Sequence, residues 1–160
     1  MSRVALRPAR AADLPAVNAV IEAAVATWDL PERVKRLALP SYRYAAHDLD
    51  HLTVWVATDP DGRIVGVAAW EPAPPADCPR APCLLLHGLY VHPAAQGRGI
   101  GRALLERAVA AARGGPFAGL LVRAQPEAAG FFARQGLTRL PADATGPRYA
   151  HRYWLPTNGD

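Results

Sequence analysis

A chain of 160 residues, 51% of them hydrophobic and 20% charged, is long enough for one domain with a substantial core and too apolar for a disordered polymer. Its net charge of +4 and pI near 9.5 suit a polyanionic partner, but the arginines are dispersed and no basic block appears, so charge alone does not separate a small phosphorylated ligand from a nucleic acid. Arginines at 3 and 7 break the N-terminal apolar run, Asn18 and Glu22 interrupt the most apolar window, and two cysteines are too few for a secreted disulfide scaffold. These features predict a cytoplasmic protein with no membrane association, in which Cys78 and Cys83, close enough in sequence to bridge, are expected as free thiols.

Residues 4–6 predict a first strand ending at Pro8. Asp13 is placed to cap a helix whose apolar positions Leu14, Val17, Val20, Ile21, Ala24 and Val25 recur at helical spacing. Pro31 opens a second helix over 32–39, closed by Pro40. Residues 41–50, which include Tyr42, Tyr44, His47, Asp48 and Asp50, have no clear period. A strand over 52–57, a turn through Asp59, Pro60, Asp61 and Gly62, and a strand over 64–70 form a hairpin. Residues 72–82 carry too many prolines for a sheet and are expected to loop out over a ligand site before a strand spanning 84–91. From Gly99 the set Ile100, Ala103, Leu104, Ala108 and Ala111 keeps a helical period until Gly114, Gly115 and Pro116. A strand over 120–124, a helix opened by Pro126 and ending near Gln135, a short strand over 137–140, a turn over 141–147 and a strand over 149–155 complete the order. No repeat or linker interrupts it, which predicts a single domain over residues 1–160.

The most informative stretch joins a strand to a helix through glycines: Leu89, Tyr90, Val91, His92 and Pro93, then Gln96, Gly97, Arg98, Gly99, Ile100, Gly101 and Arg102. Alternate glycines let successive backbone N–H groups converge on phosphate oxygens while the helix presents its positive end, and Arg98 and Arg102 add charge. A Walker A loop is excluded because the only lysine is Lys35. A dinucleotide fingerprint starting at Gly97 would put its third glycine on Arg102. Read from Gln96, the pattern is Q-x-x-G-x-G after an L-x-V-x-P strand exit, which resembles the acetyl-coenzyme A signature of the GNAT acyltransferase superfamily.

The resemblance implies an α/β GNAT fold: a mixed, mostly antiparallel sheet splayed between its fourth and fifth strands, flanked by about four helices. It implies acetyl-coenzyme A as co-substrate, with the pantetheine arm on the backbone of Leu89, Tyr90 and Val91 and the pyrophosphate on Gln96, Gly97, Arg98, Gly99, Ile100, Gly101 and Arg102. A second landmark, A-x-x-F-Y-x-x-x-G-F, is matched by Ala128, Phe131, Phe132, Gly136 and Leu137. Phe132 departs from the usual tyrosine, which can protonate the leaving thiolate, and this leaves Tyr90, Tyr149, Tyr153 or water for that task.

Amine acetylation needs a neutral amine in line with a thioester, a route for its proton and stabilisation of the oxyanion. His87 is the first candidate base, because its strand parity matches Leu89 and Val91, and many superfamily members carry a carboxylate there. A core histidine hydrogen-bonded within a strand is the structural alternative. Glu71, at the exit of the third strand, is the second candidate and equally fits a solvated strand-end carboxylate. His47, Asp48, Asp50 and His51, and separately Cys78, Cys83, His87 and His92, lack the paired spacing of a metal site, so none is expected. With Trp28, Tyr42 and Tyr44 the acidic group fits either a frame for a cationic acceptor or a solvated loop. The expectation is an N-acetyltransferase acting on a primary amine of a small molecule or peptide, with no nucleic-acid partner and a homodimer compatible with the pattern. The rivals are a non-catalytic coenzyme A-binding regulatory module and a basic nucleic-acid binder, the latter disfavoured by dispersed arginines.

Overall fold

The protein is described by a computed structural model whose described residues are 4–124, 128–141 and 151–157. Pro126, Tyr149 and most of the expected turn over 141–147 lie outside them. The chain divides into two compact units, one formed by Met1–Ala69 with Gly88–Glu106 and the other by Trp70–His87 with Arg107–Asp160.

The first unit contains β1 (Ala5–Pro8), α1 (Leu14–Ala26), α2 (Glu32–Tyr42), β2 (Thr53–Thr58) and the first part of β3 (Ile64–Pro72). The six apolar positions expected on α1 are the six that are buried there, and all but Ala24 pack with Val54, Val56, Val67 and Ala69 into one cluster. Each large side chain so placed contributes about 1.5–3 kcal/mol relative to exposure. β1 pairs antiparallel with β2, from Ala5↔Thr58 to Pro8↔Trp55. Asp59 organises the hairpin turn, its Oδ1 accepting from the N–H groups of Asp61 and Arg63, while Gly62 takes φ +83°.

Two expectations for this unit need correction. Asp13 precedes α1, but its carboxylate makes no cap bond to that helix. It accepts instead from the Arg10 N–H at 2.7 Å and from both terminal nitrogens of Arg7 at 2.8 and 2.9 Å, because Ala11–Asp13 forms a 3-10 turn ahead of the helix. Pro40 does not close α2. The helix runs through it to Tyr42, and with no buried residue on α2 the missing N–H sits on a surface element where it disturbs no core packing.

The second unit contains β5 (Gly119–Ala124), α4 (Ala129–Arg134), β6 (Thr138–Arg139) and β7 (His151–Pro156). Ala73, Cys83, Leu85 and Leu121 form its buried cluster, with Leu140 and Trp154 packed against it. The expected free thiols are corrected: Cys78 and Cys83 form a disulfide with a Cα–Cα distance of 5.9 Å. The proline-rich loop is thereby tethered, further held by the Ala73 N–H on the Cys83 carbonyl at 2.9 Å and by Arg123 on Asp77 at 2.7 Å.

β4 (Leu84–Val91) and α3 (Ile100–Gly114) contribute residues to both units, as β3 does. The strand order is β1-β2-β3-β4-β5-β7-β6. β4 and β5 are parallel, whereas β5–β7 and β6–β7 are antiparallel. On α3 the buried positions are Ile100, Leu104, Leu105, Ala108 and Ala112, so Leu105 and Ala112 replace the expected Ala103 and Ala111, which are half-buried.

Candidate functional site

The β4–β5 ladder covers only Leu84↔Leu120, Leu85↔Leu121 and Leu86↔Val122, although β4 continues to Val91. Residues 87–91 of β4 lie beyond that register. On this segment His87 is exposed, and Gly88, Leu89, Tyr90 and Val91 are half-buried.

Beyond β4 the chain is pinned on both sides of an exposed loop. His92 donates its N–H to the Val65 carbonyl at 2.8 Å, and its Nδ1 accepts from the Ala94 N–H at 3.1 Å. After the 3-10 turn Pro93–Ala95, Ala95 is buried; Gln96, Gly97, Arg98 and Gly99 are exposed; and Ile100 is buried again as α3 begins. Gly97 and Gly99 adopt φ +80° and +79°, a conformation that side chains rarely take, with no other atom within 4 Å of an added Cβ. Backbone thus lies bare at the start of a 15-residue helix, whose first N–H groups lack intrahelical partners. Such a cradle fits a pyrophosphate, since nothing but backbone stands in front of it. Of the two arginines, Arg102 is engaged by Glu106 at 3.0 Å, both side chains being well exposed, and Arg98 is exposed on the loop itself.

Glu71, His87 and Phe132 belong to the second unit. Glu71 is half-buried near the end of β3, and His87 stands on the neighbouring strand β4. Phe132 is only 4% exposed, with its ring centroid 5.1 Å from Phe131 and 6.0 Å from Tyr153. Asp48 is occupied within its own turn, accepting from the Ala45 N–H at 2.8 Å with the His47 and His51 rings at 3.6 and 3.8 Å. Among the described residues no group of three or more His, Cys, Asp or Glu is arranged to hold a metal ion, and no helix is long and apolar enough to cross a membrane.

Sequence reasoning missed one polar group. His151 Nδ1, opposite Ala124 in the β5–β7 ladder, is buried with no hydrogen-bond partner. Its only sequence signal is a histidine inside an apolar strand pattern, which does not distinguish a paired ring from an unpaired one.

Residues 50–138 match the family model described as an acetyltransferase (GNAT) domain, and the chain belongs to that family. Among solved structures it is similar to a GNAT family acetyltransferase from Brucella melitensis in complex with acetyl-CoA, at 22% identity over 96% of this chain and 88% of that one, with a TM-score of 0.65. It is likewise similar to a histone acetyltransferase HPA2-related protein from Corynebacterium glutamicum (24% identity, 98% and 97% coverage, TM-score 0.67). A PaiA N-acetyltransferase from Thermoplasma acidophilum in complex with coenzyme A superposes at a TM-score of 0.73, with 14% identity and 95% and 97% coverage. No curated protein sequence matches the chain significantly.

Proposed function

We propose that this chain transfers an acetyl group from acetyl-coenzyme A to a primary amine of a small molecule or peptide, by direct attack within a ternary complex. The observation that carries the reading is the bare loop with left-handed Gly97 and Gly99, set between the end of β4 and the first turn of α3. Support comes also from the family match and from the coenzyme-bound structures that share the fold.

When bound, the co-substrate supplies the acetyl group as an activated thioester. Leu89, Tyr90 and Val91 hold the pantetheine arm through β4 backbone; the Gln96, Gly97, Gly99, Ile100 and Gly101 backbone holds the pyrophosphate, with Arg98 and Arg102 adding charge and Phe132 serving as an apolar wall. His87 takes the proton from the incoming amine, directly or through water, and Glu71 is the second base. Phe132 has no proton to give, so the departing thiolate is protonated by Tyr90, Tyr153 or water. The whole chain acts as one domain, supported by β3, β4 and α3 each contributing to both units. A cytoplasmic location belongs to the same proposal, since the co-substrate is available there.

Calorimetry with acetyl-coenzyme A and mass spectrometry of pooled amines test this. Gly99→Glu should fold and lose coenzyme binding, because it adds bulk and negative charge where the pyrophosphate approaches backbone. Unchanged affinity in that variant would remove the basis of the reading, and an amine panel returning no acetylated product would overturn the transfer itself.

A further inference from the structure

In the second unit the proline-rich loop after β3 and the candidate base His87 share one face of the sheet. Alternate residues of a strand share a face, which places His87 with Leu85 on β4 and Arg123 with Leu121 on β5. Leu85 and Leu121 are register partners and lie in one buried cluster with Cys83 and Ala73, against which Cys78 packs. His87 and Arg123 thus each stand two residues beyond that pair, on the face where the loop rests. Two side chains join the loop's turn, Pro75–Asp77, to this face. Asp77 holds the Arg123 guanidinium at 2.7 Å, with 38% and 30% of the two side chains exposed, and Cys78 is bridged to Cys83. The turn's own backbone bonds, from the Asp77 N–H to Pro74 and from the Cys78 N–H to Pro75, stay within it. The far end is held separately, by the Ala73 N–H on the Cys83 carbonyl and the Ala118 N–H on the Pro82 carbonyl at 2.7 Å. An ion pair this exposed is worth little alone, so the bridge is what keeps Asp77 on Arg123.

We propose that Cys78–Cys83 is a thiol–disulfide exchange site, at which a small dithiol opens the loop, releases Asp77 from Arg123 and weakens the capture of amines on the face of His87. Cys78 is half-buried beside the exposed Pro79 and Arg80, whereas Cys83 is 1% exposed, so an incoming thiolate attacks the Cys78 sulfur. An intermolecular S–S bond forms as the Cys78–Cys83 bond breaks, and Cys83 leaves as a thiolate that takes a proton from water. The reductant's second thiol then gives up its proton and attacks its own sulfur in the mixed disulfide, releasing Cys78 to be protonated in turn. Two electrons and two protons pass to the protein, and the dithiol departs as a cyclic disulfide. A bridge with a sequence separation of 5 constrains the unfolded chain little, so it opens without unfolding the unit. Disulfides in a reducing compartment are usually transient or redox-sensing, which fits the cytoplasmic location proposed above. Once Asp77 withdraws, Arg123 loses that countercharge and repels an incoming amine, which in neutral solution is mostly a cation. The effect on acceptors rests on the acyl-transfer reading; the exchange does not.

The test compares the oxidised protein with the same protein in dithiothreitol under native conditions. Acid quenching followed by alkylation in denaturant should find both cysteines reduced while circular dichroism stays that of the folded protein. Trypsin should cut Arg80–Ala81 about tenfold faster in the reduced state, since the turn opens locally. KM for n-butylamine, or for whichever pooled amine is acetylated, should rise about threefold at low salt with kcat and coenzyme A affinity unchanged. Asp77→Asn should reproduce that rise in the oxidised protein. A bridge that survives dithiothreitol until the protein unfolds, or an unchanged rate of the Arg80 cut, would overturn the exchange site. Equal KM in the two redox states, or wild-type KM in oxidised Asp77→Asn, would overturn its effect on acceptors. Reduction and faster cutting in a protein that acetylates no amine would sustain the exchange site and overturn the acyl-transfer reading alone.

Discussion

Gly97 and Gly99 hold a backbone conformation that costs an L-residue about 1–2 kcal/mol, so Gly99→Ala should weaken coenzyme A binding measurably while leaving the α3 core intact. His87 is a different kind of residue, exposed on β4 and expected to act on the amine proton. His87→Ala should lower kcat/KM by roughly 100-fold near neutrality, and the deficit should narrow as pH rises because more acceptor arrives neutral. A pH profile parallel to wild type would move the proton route to Glu71. Phe132→Ala, by contrast, should act on stability, costing about 3 kcal/mol or more in urea denaturation, since the ring is packed between Phe131 and Tyr153. The left-handed turn at Gly97 and Gly99 and the place of His87 on a strand follow from local spacing along one strand and one turn. The unpaired His151 Nδ1 does not, because its isolation depends on a cross-strand neighbour, Ala124, that lies far away in sequence.

Among the elements, α1 was the most legible, since its large aliphatic residues Leu14, Val17, Val20, Ile21 and Val25 recur at helical spacing. On α3 the buried stripe was misjudged at two places, with Leu105 buried in place of Ala103 and Ala112 in place of its neighbour Ala111, where adjacent alanines give no contrast between faces. The helix α2 outlasted Pro40 because local breaking signals weigh little on an exposed element. Asp13 shows how an element boundary can be held by a charge instead of a cap. Arg7 of β1 grips its carboxylate with two nitrogens; this bonding, aided by the Arg10 N–H and opposed by partial burial, holds its pKa down to about 2. A lowered folded-state value means the stabilisation is complete above the unfolded value of 3.8 and is lost as pH falls from there towards 2. Solvent screening limits it to about 1 kcal/mol. Asp13→Asn should therefore lower Tm at pH 6 by a few degrees and flatten its fall between pH 4 and 2, as followed by circular dichroism.

For the molecule as a whole, the net charge of +4 should draw in a polyphosphorylated ligand, so the Kd for coenzyme A should rise roughly fivefold between 50 and 500 mM salt. Arg98→Ala should flatten that dependence more than Arg102→Ala, whose guanidinium Glu106 already neutralises in part. The Cys78–Cys83 bridge closes a short loop, with a sequence separation of 5, and reducing it should cost about 2 kcal/mol at most. The order of the strands bears on how the chain is made. β6 pairs with β7, and β5 pairs with β7 along all six of its residues, yet β7 follows both of them in sequence. Until residues 151–156 leave the ribosome, β5 presents a bare hydrophobic edge of Leu120, Leu121 and Val122, open to pairing with another nascent chain. A variant truncated before His151 should accordingly yield aggregate in place of a shortened soluble protein, and slow translation between β5 and β7 should increase demand on chaperones that bind nascent chains.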